Sequence, residues 1–403
     1  MRVLLGAFGD PGHAFPAIAL GTALRERGHA VCMQTWERWR VPVQAAGMAF
    51  AAAPEYHVFP TRERPFKPYE AVLRATTDTR PLVRAFAPDV VVADILTLAP
   101  ALAAELEGVR VATLIPHVDP RPAPGFPPYS VGARLPRTPA GRWLWGQTDG
   151  LMARGLELGR SELNETRARL GLPPLDHVHG GISRGLALVA TFPELEYPRP
   201  GAPLPGTFAI GPLQWEPPAP EVPLPPGEAP LVLVAPSTSQ DPEHRLLRAA
   251  LAGLADAPVR VLATWNRRRP IPAIAVPDNT RLVEWVSYAQ TMPDCAVVVC
   301  HGGHGTVVRA LASGCVVVAA PAAGDMNENA ARVDWAGVGV RIPRRLVSPR
   351  SVRLAVGRAL GEPALAARAT ELAAWAEAHP AGRRAIELLE AYAAGAGTDG
   401  TTA

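Results

Sequence analysis

AVVVCHGGHGTVVRAL, residues 296–311, decides the fold. Its apolar, β-branched start, Ala296–Cys300, fits a strand buried on both faces, as strands in parallel sheets are. A glycine-rich turn follows at once, and Thr306–Ala312 then reads as a helix. Cys315–Ala319 supplies a second strand, which completes a βαβ unit.

The same rhythm continues in both directions. Upstream in this half come strand Leu231–Ala235, helix Pro242–Leu254 and strand Val259–Ala263; helices Val352–Leu360, Pro363–Glu377 and Ala381–Ala393 follow it. The first half has its own set: strand Val3–Phe8, helix Ala17–Arg27, strand Ala30–Thr35, strand Asp89–Ala93, helix Leu98–Leu106 and strand Val109–Ile115. A Pro- and Gly-rich loop over His117–Arg142, a helical stretch Leu144–Leu170 and strand Leu186–Thr191 complete it. Between the halves, GPLQWEPPAPEVPLPPGEAP (211–230) is too dense in proline for helix or central strand and predicts a stiff, extended linker. The expected fold class is α/β, with two Rossmann-like domains facing across a cleft. The domains expected are 1–212, a linker 213–230, and 231–393, with a flexible tail over 394–403. The last helix is open to packing back on the first domain.

Composition narrows the function. A chain of 403 residues is long enough for two cores. Its 36 Gly and 45 Pro make about a fifth of the residues, below the roughly 25–30% of disordered chains. A net charge of +3 without a basic block leaves no nucleic-acid footprint. Lys67 is the only lysine, so no Gly-Lys-Ser/Thr phosphate loop exists. Cys32, Cys295, Cys300 and Cys315 show no Cys-x-x-Cys spacing and read as buried thiols. With neither a signal-peptide pattern nor an apolar run of about 18 residues, a soluble cytoplasmic protein without a membrane span is expected.

In doubly wound sheets, ligands bind where strand ends lead into helix starts. His13 lies at such a turn, in GAFGDPGHAFPAIAL, and is either a surface or capping histidine or a general base titrating near neutral pH. Asp94 ends the apolar strand VVVAD, as a helix N-cap or as the carboxylate that orients that base. The turn His301-Gly302-Gly303-His304-Gly305-Thr306 offers free N–H groups, a hydroxyl and close backbone approach, which suits a phosphate. A tight turn alone accounts for its glycines but not for its histidines and Thr306. A metal on His301 and His304 lacks a third ligand nearby. The Rossmann Gly-x-Gly-x-x-Gly pattern is absent from this turn. Asp325, Asn327, Glu328 and Asn329 form a second polar cluster at a helix start, more than capping needs, and suit recognition of hydroxyls. Ser237, Thr238 and Ser239 end the first strand of the second half. Trp285 either stacks on a nucleobase or belongs to the core.

Together these segments resemble a family. GHAFPAIALGTALRERGHAV (12–31), LNETRARLGLPPL (163–175), STS (237–239), WV (285–286), MPDC (292–295), HGGHGT (301–306) and GDMNENAARV (324–333) occur in the order found in nucleotide-sugar-dependent glycosyltransferases of the GT-B fold, family 1. Within that family the chain is most similar to bacterial natural-product, macrolide-type enzymes. The resemblance implies an inverting transfer, with His13 as base and Asp94 as its partner. It places the donor diphosphate on His301, Gly303, His304, Gly305 and Thr306, with Ser237 and Thr238, the nucleobase on Trp285 and Val286, and the sugar on Asp325 and Met326. The partners implied are a nucleoside diphosphate sugar, thymidine or uridine, and a hydrophobic acceptor, the latter also suggested by the aromatic segments Tyr56–Tyr69 and Phe126–Trp145. No cofactor and no metal are expected, since the chain has no Asp-x-Asp. The chain departs from the family in reading Trp285-Val286-Ser287-Tyr288 for Trp-Val-Pro-Gln, Asp325-Met326 for Asp-Gln, and His304 for a bulkier residue. Met326 in place of glutamine points to a deoxysugar, unless it faces the core and Asn327 serves the hydroxyl. A nucleotide-sugar epimerase and a non-catalytic sugar-nucleotide-binding helper are the competing readings.

Overall fold

The computed structural model describes residues 1–53, 68–179, 181–201, 203–237, 240–266 and 269–395. The acceptor segment read at Tyr56–Tyr69, up to its last two residues, the Thr238 and Ser239 positions and nearly all of the 394–403 tail lie outside the described residues.

The first half runs β1 (Arg2–Gly6), α1 (Pro11–Glu26), β2 (Ala30–Thr35), α2 (Arg40–Ala45), β3 (Ala49–Ala52), α3 (Pro68–Phe86) and β4 (Val90–Asp94). It continues through α4 (Leu98–Leu106), β5 (Arg110–Ile115), α5 (Pro139–Gly146), α6 (Asp149–Arg169), β6 (Ala187–Val189) and β7 (Thr207–Ala209). The second half opens with β8 (Leu231–Ala235), α7 (Arg245–Leu254), β9 (Arg260–Thr264), β10 (Thr280–Val283), α8 (Tyr288–Thr291) and β11 (Val297–Cys300). After these come α9 (His304–Ala312), β12 (Val316–Ala319), α10 (Met326–Ala336), β13 (Gly339–Arg341), α11 (Pro349–Gly361), α12 (Pro363–Ala378) and α13 (Ala381–Ala393).

Among the described residues two parallel sheets form, ordered β3-β2-β1-β4-β5-β6-β7 and β10-β9-β8-β11-β12-β13. The expected α/β class with two Rossmann-like sheets is what the chain adopts. Their central strands β4, β8, β11 and β12 are buried at every residue, because helices cover both faces and nothing apolar need face water. Register sets Gly6 beside Ala93, and Ala235 beside Cys300, at the carboxyl ends of the paired strands.

No helix or strand forms over 212–230, and this segment is anchored at both ends. Trp215 packs on the first core, and Val222 and Leu224 pack on the second. The chain also crosses back: Ala381, Ala385, Ile386, Leu388 and Leu389 of α13 lie within the first core, and the Tyr392 hydroxyl donates to the Val111 carbonyl at 3.2 Å.

Several boundaries differ from the sequence reading. The stretch Leu144–Leu170 is largely helical, as read, with a break at 147–148 that divides it between α5 and α6. Helix α1 starts at Pro11, whose missing N–H costs nothing in a first turn, so His13 lies inside the helix. Helix α7 starts at Arg245 because His244 takes a left-handed φ of 53°. Helix α3 went unread because its buried stripe, Ala71, Thr76, Thr79 and Val83, is half threonine. The Thr76 hydroxyl bonds the Val72 carbonyl, and the Thr79 hydroxyl pairs with Gln34. All four cysteines are buried free thiols, and among the described residues no helix is long and apolar enough to cross a membrane.

Candidate active site

Each sheet reverses its strand order once, between β1 and β4 and between β8 and β11, and a ligand crevice opens at such a point. The first turn of α1, just after β1, carries His13, and β4 ends in Asp94. The His13 Nδ1–H donates to Asp94 at 2.7 and 2.9 Å, and Asp94 is only 2% exposed. Asp94 is not the cap of α4, whose N-cap is Thr97; its oxygens accept instead from the Leu96 and Phe8 N–H groups at 2.9 and 3.4 Å. A carboxylate only accepts, so Nδ1 keeps its proton and Nε2 is the basic nitrogen. Burial disfavours charge on His13. The Asp94 bond and charge, with Asp10 and Asp325 adding, outweigh it and raise the pKa above its ordinary value.

Across the crevice, β11 ends at Cys300 and α9 begins at His304 with no side-chain cap. The opening N–H groups of α9 therefore have no intrahelical partner. The His301 Nδ1 lies 3.3 Å from the Ala235 carbonyl, and its Nε2 lies over Gly303, where a Cβ would collide with the ring. Gly302 has φ +78° and leaves a Cβ only 2.9 Å from the Met326 carbonyl, so both glycines are required by the fold of the turn. Burial lowers the His301 pKa, with the Ala235 carbonyl and Asp325 opposing.

The second polar cluster is mostly committed to structure. The Asn327 amide donates to the Gly324 carbonyl, Asn329 donates to the Gly302 carbonyl, and Glu328 accepts from Arg332. Asp325 remains. It is exposed, caps nothing with its side chain, and acts electrostatically on His13, His301, His117 and Tyr129. Asp325, at the start of α10 in the second half, is thus within electrostatic reach of His13 and His117 of the first half and of His301 of its own.

Other sequence-read residues take varied places. Gly305 is exposed and Thr306 half-buried in the first turn of α9. His304 is buried and turned to the first half, with Nε2 3.3 Å from the Ala190 carbonyl, and burial pushes its pKa down to about 4. The Ser237 hydroxyl accepts the Gln240 N–H at 2.9 Å. Trp285 is half-buried and stacked on Tyr288 at 6.0 Å, whereas the Val286 side chain lies in the core. Met326 is half-buried. Phe126 packs against Tyr197, itself against Trp335, while Trp143 is 69% exposed. Among the described residues no group of three or more His, Cys, Asp or Glu side chains is placed to hold a metal ion.

Two residues of the crevice were not singled out from sequence. His117 follows β5 and lies 6.0 Å from the His13 ring, and Tyr129 lies 6.3 Å beyond it. The strand-end rule that found Asp94 applies equally to His117. Tyr129 falls within the aromatic segment Phe126–Trp145 read for the acceptor, but nothing in the sequence sets it apart from its neighbours there.

Residues 248–392 match the family model described as Erythromycin biosynthesis protein CIII-like, C-terminal domain. The 4'-demethylrebeccamycin synthase of Lentzea aerocolonigenes is 30% identical over 426 residues, 96% of this chain and 99% of that protein. The O-mycaminosyltylonolide 6-deoxyallosyltransferase of Streptomyces fradiae is 29% identical, over 98% of each chain. Among solved structures, glycosyltransferase VinC in complex with DTDP superposes with a TM-score of 0.71 at 20% identity, over 98% of this chain and 100% of that one. That likeness establishes a shared GT-B fold.

Proposed function

We propose a specific reaction for this chain, which belongs to the family of bacterial natural-product glycosyltransferases: inverting transfer of a deoxysugar from thymidine diphosphate to a hydroxyl of a hydrophobic aglycone. The observation that carries it is the His13–Asp94 pair set opposite the His301 turn and the uncapped start of α9, with Asp325 between.

The acceptor oxygen attacks C1 from the face opposite the diphosphate. The O–C1 bond forms as the C1–O bond to phosphate breaks, and the acceptor proton passes to His13 Nε2. Asp94 holds the imidazole in the productive tautomer and stabilises the imidazolium. Charge accumulates on the departing diphosphate and meets the N–H groups of α9, the Thr306 hydroxyl and His301. Such fixed donors are worth about 3–4 kcal/mol each in transition-state stabilisation. The helix start and His301 then serve in place of a metal. Asp325 and Met326 face the sugar, and Trp285 with the backbone of Val286 faces the base. Residues 1–212 would bind the acceptor and 231–393 the donor, with 213–230 letting them close over both in the cytoplasm.

A solved relative's complex with DTDP and a relative named as a deoxyallosyltransferase support the donor. The test is to incubate the protein with thymidine and uridine diphosphate sugars and an apolar alcohol, then determine the anomeric configuration of the product. An inverted glycoside made from the thymidine donor is expected. Retention, or turnover of uridine donors alone, overturns the corresponding part.

A further inference from the structure

We propose that the sugar end of the donor site is completed by the first half of the chain, through Tyr129, which hydrogen-bonds the transferred sugar beside Asp325. This rests on the glycosyl-transfer reading above, since it names a contact for that reaction's donor.

Tyr129 is carried by the loop between β5 and α5, and its ring packs on a core shared by both halves, in which Val118, Phe192 and Leu195 meet residues of β8, β11 and α10. It is half-buried, lies 6.3 Å from the His117 ring and is within electrostatic reach of Asp325, Glu328 and Arg332. The loop is fastened to the second half just after this residue, and the segment after β6 is fastened to α10. Arg341 donates to the Gly132 carbonyl, and Gly132, at φ +75°, lies so close to α10 that a Cβ would meet Asn327 at 2.8 Å. Arg134 pairs with Asp334 at 3.1 Å. The Arg332 guanidinium lies 3.8 Å over the Tyr197 ring and donates to the Leu195 carbonyl and Glu196. These contacts hold a loop of the first half against the helix that begins at Met326, right after Asp325.

The chemistry of the three groups is complementary. Asp325 accepts. His117 donates Nδ1–H to the Val118 carbonyl at 2.7 Å, which leaves Nε2 as an acceptor with no partner among the described residues. Tyr129 adds a phenol, kept protonated by burial and by Asp325, and so is the donor of the set. Two acceptors and one donor on one wall suit a sugar hydroxyl pair better than either half could alone.

The test compares Tyr129→Phe with wild type in binding and in turnover. Loss of one neutral hydrogen bond should weaken binding of the intact nucleotide sugar by roughly 3- to 10-fold. The Kd for the sugar-free nucleoside diphosphate and the KM for acceptor should stay as in wild type. The ratio of kcat/KM between a hydroxylated hexose donor and its deoxy analogues should also shift. An equal loss for the sugar-free diphosphate, a change in acceptor KM alone, or no change at all would overturn the inference. A thermal melt establishes that the variant is folded, and Arg134→Ala, which loosens the loop without touching the phenol, should move donor KM in the same direction. Wild type that binds no sugar nucleotide would refute the reading beneath it as well; wild type that binds one, with an unaltered variant, would refute this inference alone.

Discussion

Asp94→Asn is the most direct probe of the reaction centre. The carboxylate takes the His13 Nδ1–H at 2.7 and 2.9 Å, the Leu96 N–H at 2.9 Å and the Phe8 N–H at 3.4 Å, and every one of these partners donates. Asparagine has a single oxygen. Directed at His13 and Leu96 from the Oδ1 position, that oxygen keeps both 2.9 Å contacts, but the amide NH2 then stands where Oδ2 was, facing the His13 Nδ1–H at 2.7 Å and the Phe8 N–H at 3.4 Å, so the charge is lost and the closest contact becomes donor against donor. A hydrogen bond to a charged group is worth about 1.5–3 kcal/mol, which corresponds to a loss of roughly 10- to 150-fold in kcat. The pH profile moves as well. His13 accepts a proton only when neutral, so kcat/KM in wild type rises with pH through a pKa held above 6.5. Without the carboxylate, burial dominates and the limb moves to lower pH. Stability follows the same linkage. A folded pKa above the unfolded value of 6.5 means that protonated His13 stabilises the wild type fully below pH 6.5, and that this contribution fades as pH rises through the folded pKa. The Tm difference between wild type and variant should therefore narrow with rising pH. Steady-state transfer rates and thermal melts across that range supply both measurements. A variant with the wild-type acid limb and a pH-independent Tm difference would refute a charge-paired base at His13.

Three further outcomes are expected. His13→Ala should abolish transfer to a weakly acidic hydroxyl while nucleoside diphosphate still binds, as calorimetry can show; near-wild-type turnover at pH 7 would remove the base assignment. Activity should survive excess chelator, whereas His301→Ala weakens diphosphate binding; complete loss on chelation, restored by Mg or Mn, would contradict the metal-free mechanism. Met326→Gln, by offering a sugar hydroxyl both a donor and an acceptor in place of a thioether, should shift the kcat/KM ratio toward the fully hydroxylated hexose, and an unchanged ratio would count against Met326 facing the donor.

Much of this protein is legible in its residues taken one segment at a time. A strand buried on both faces writes itself as an uninterrupted β-branched run, so Val90–Asp94, Leu231–Ala235, Val297–Cys300 and Val316–Ala319 can be read directly, and strand-end rules lead from them to His13, Asp94 and His301. Short elements such as Ala49–Ala52 and Gly339–Arg341 carry too few residues to show a period. What local sequence has no means of encoding is the contact between distant segments. The 2.7 Å bond from His13 to Asp94 spans 81 positions, and the Arg341 contact with Gly132 spans 209. Only the packed fold chose between helix cap and histidine partner for Asp94, left Asp325 exposed while tying up Asn327, Glu328 and Asn329, and seated Tyr129 on a core that both halves share. The physical reason is that backbone propensity and hydrophobic period act over a few residues, whereas the partner of a buried polar group is settled by which surfaces the collapsed chain brings together.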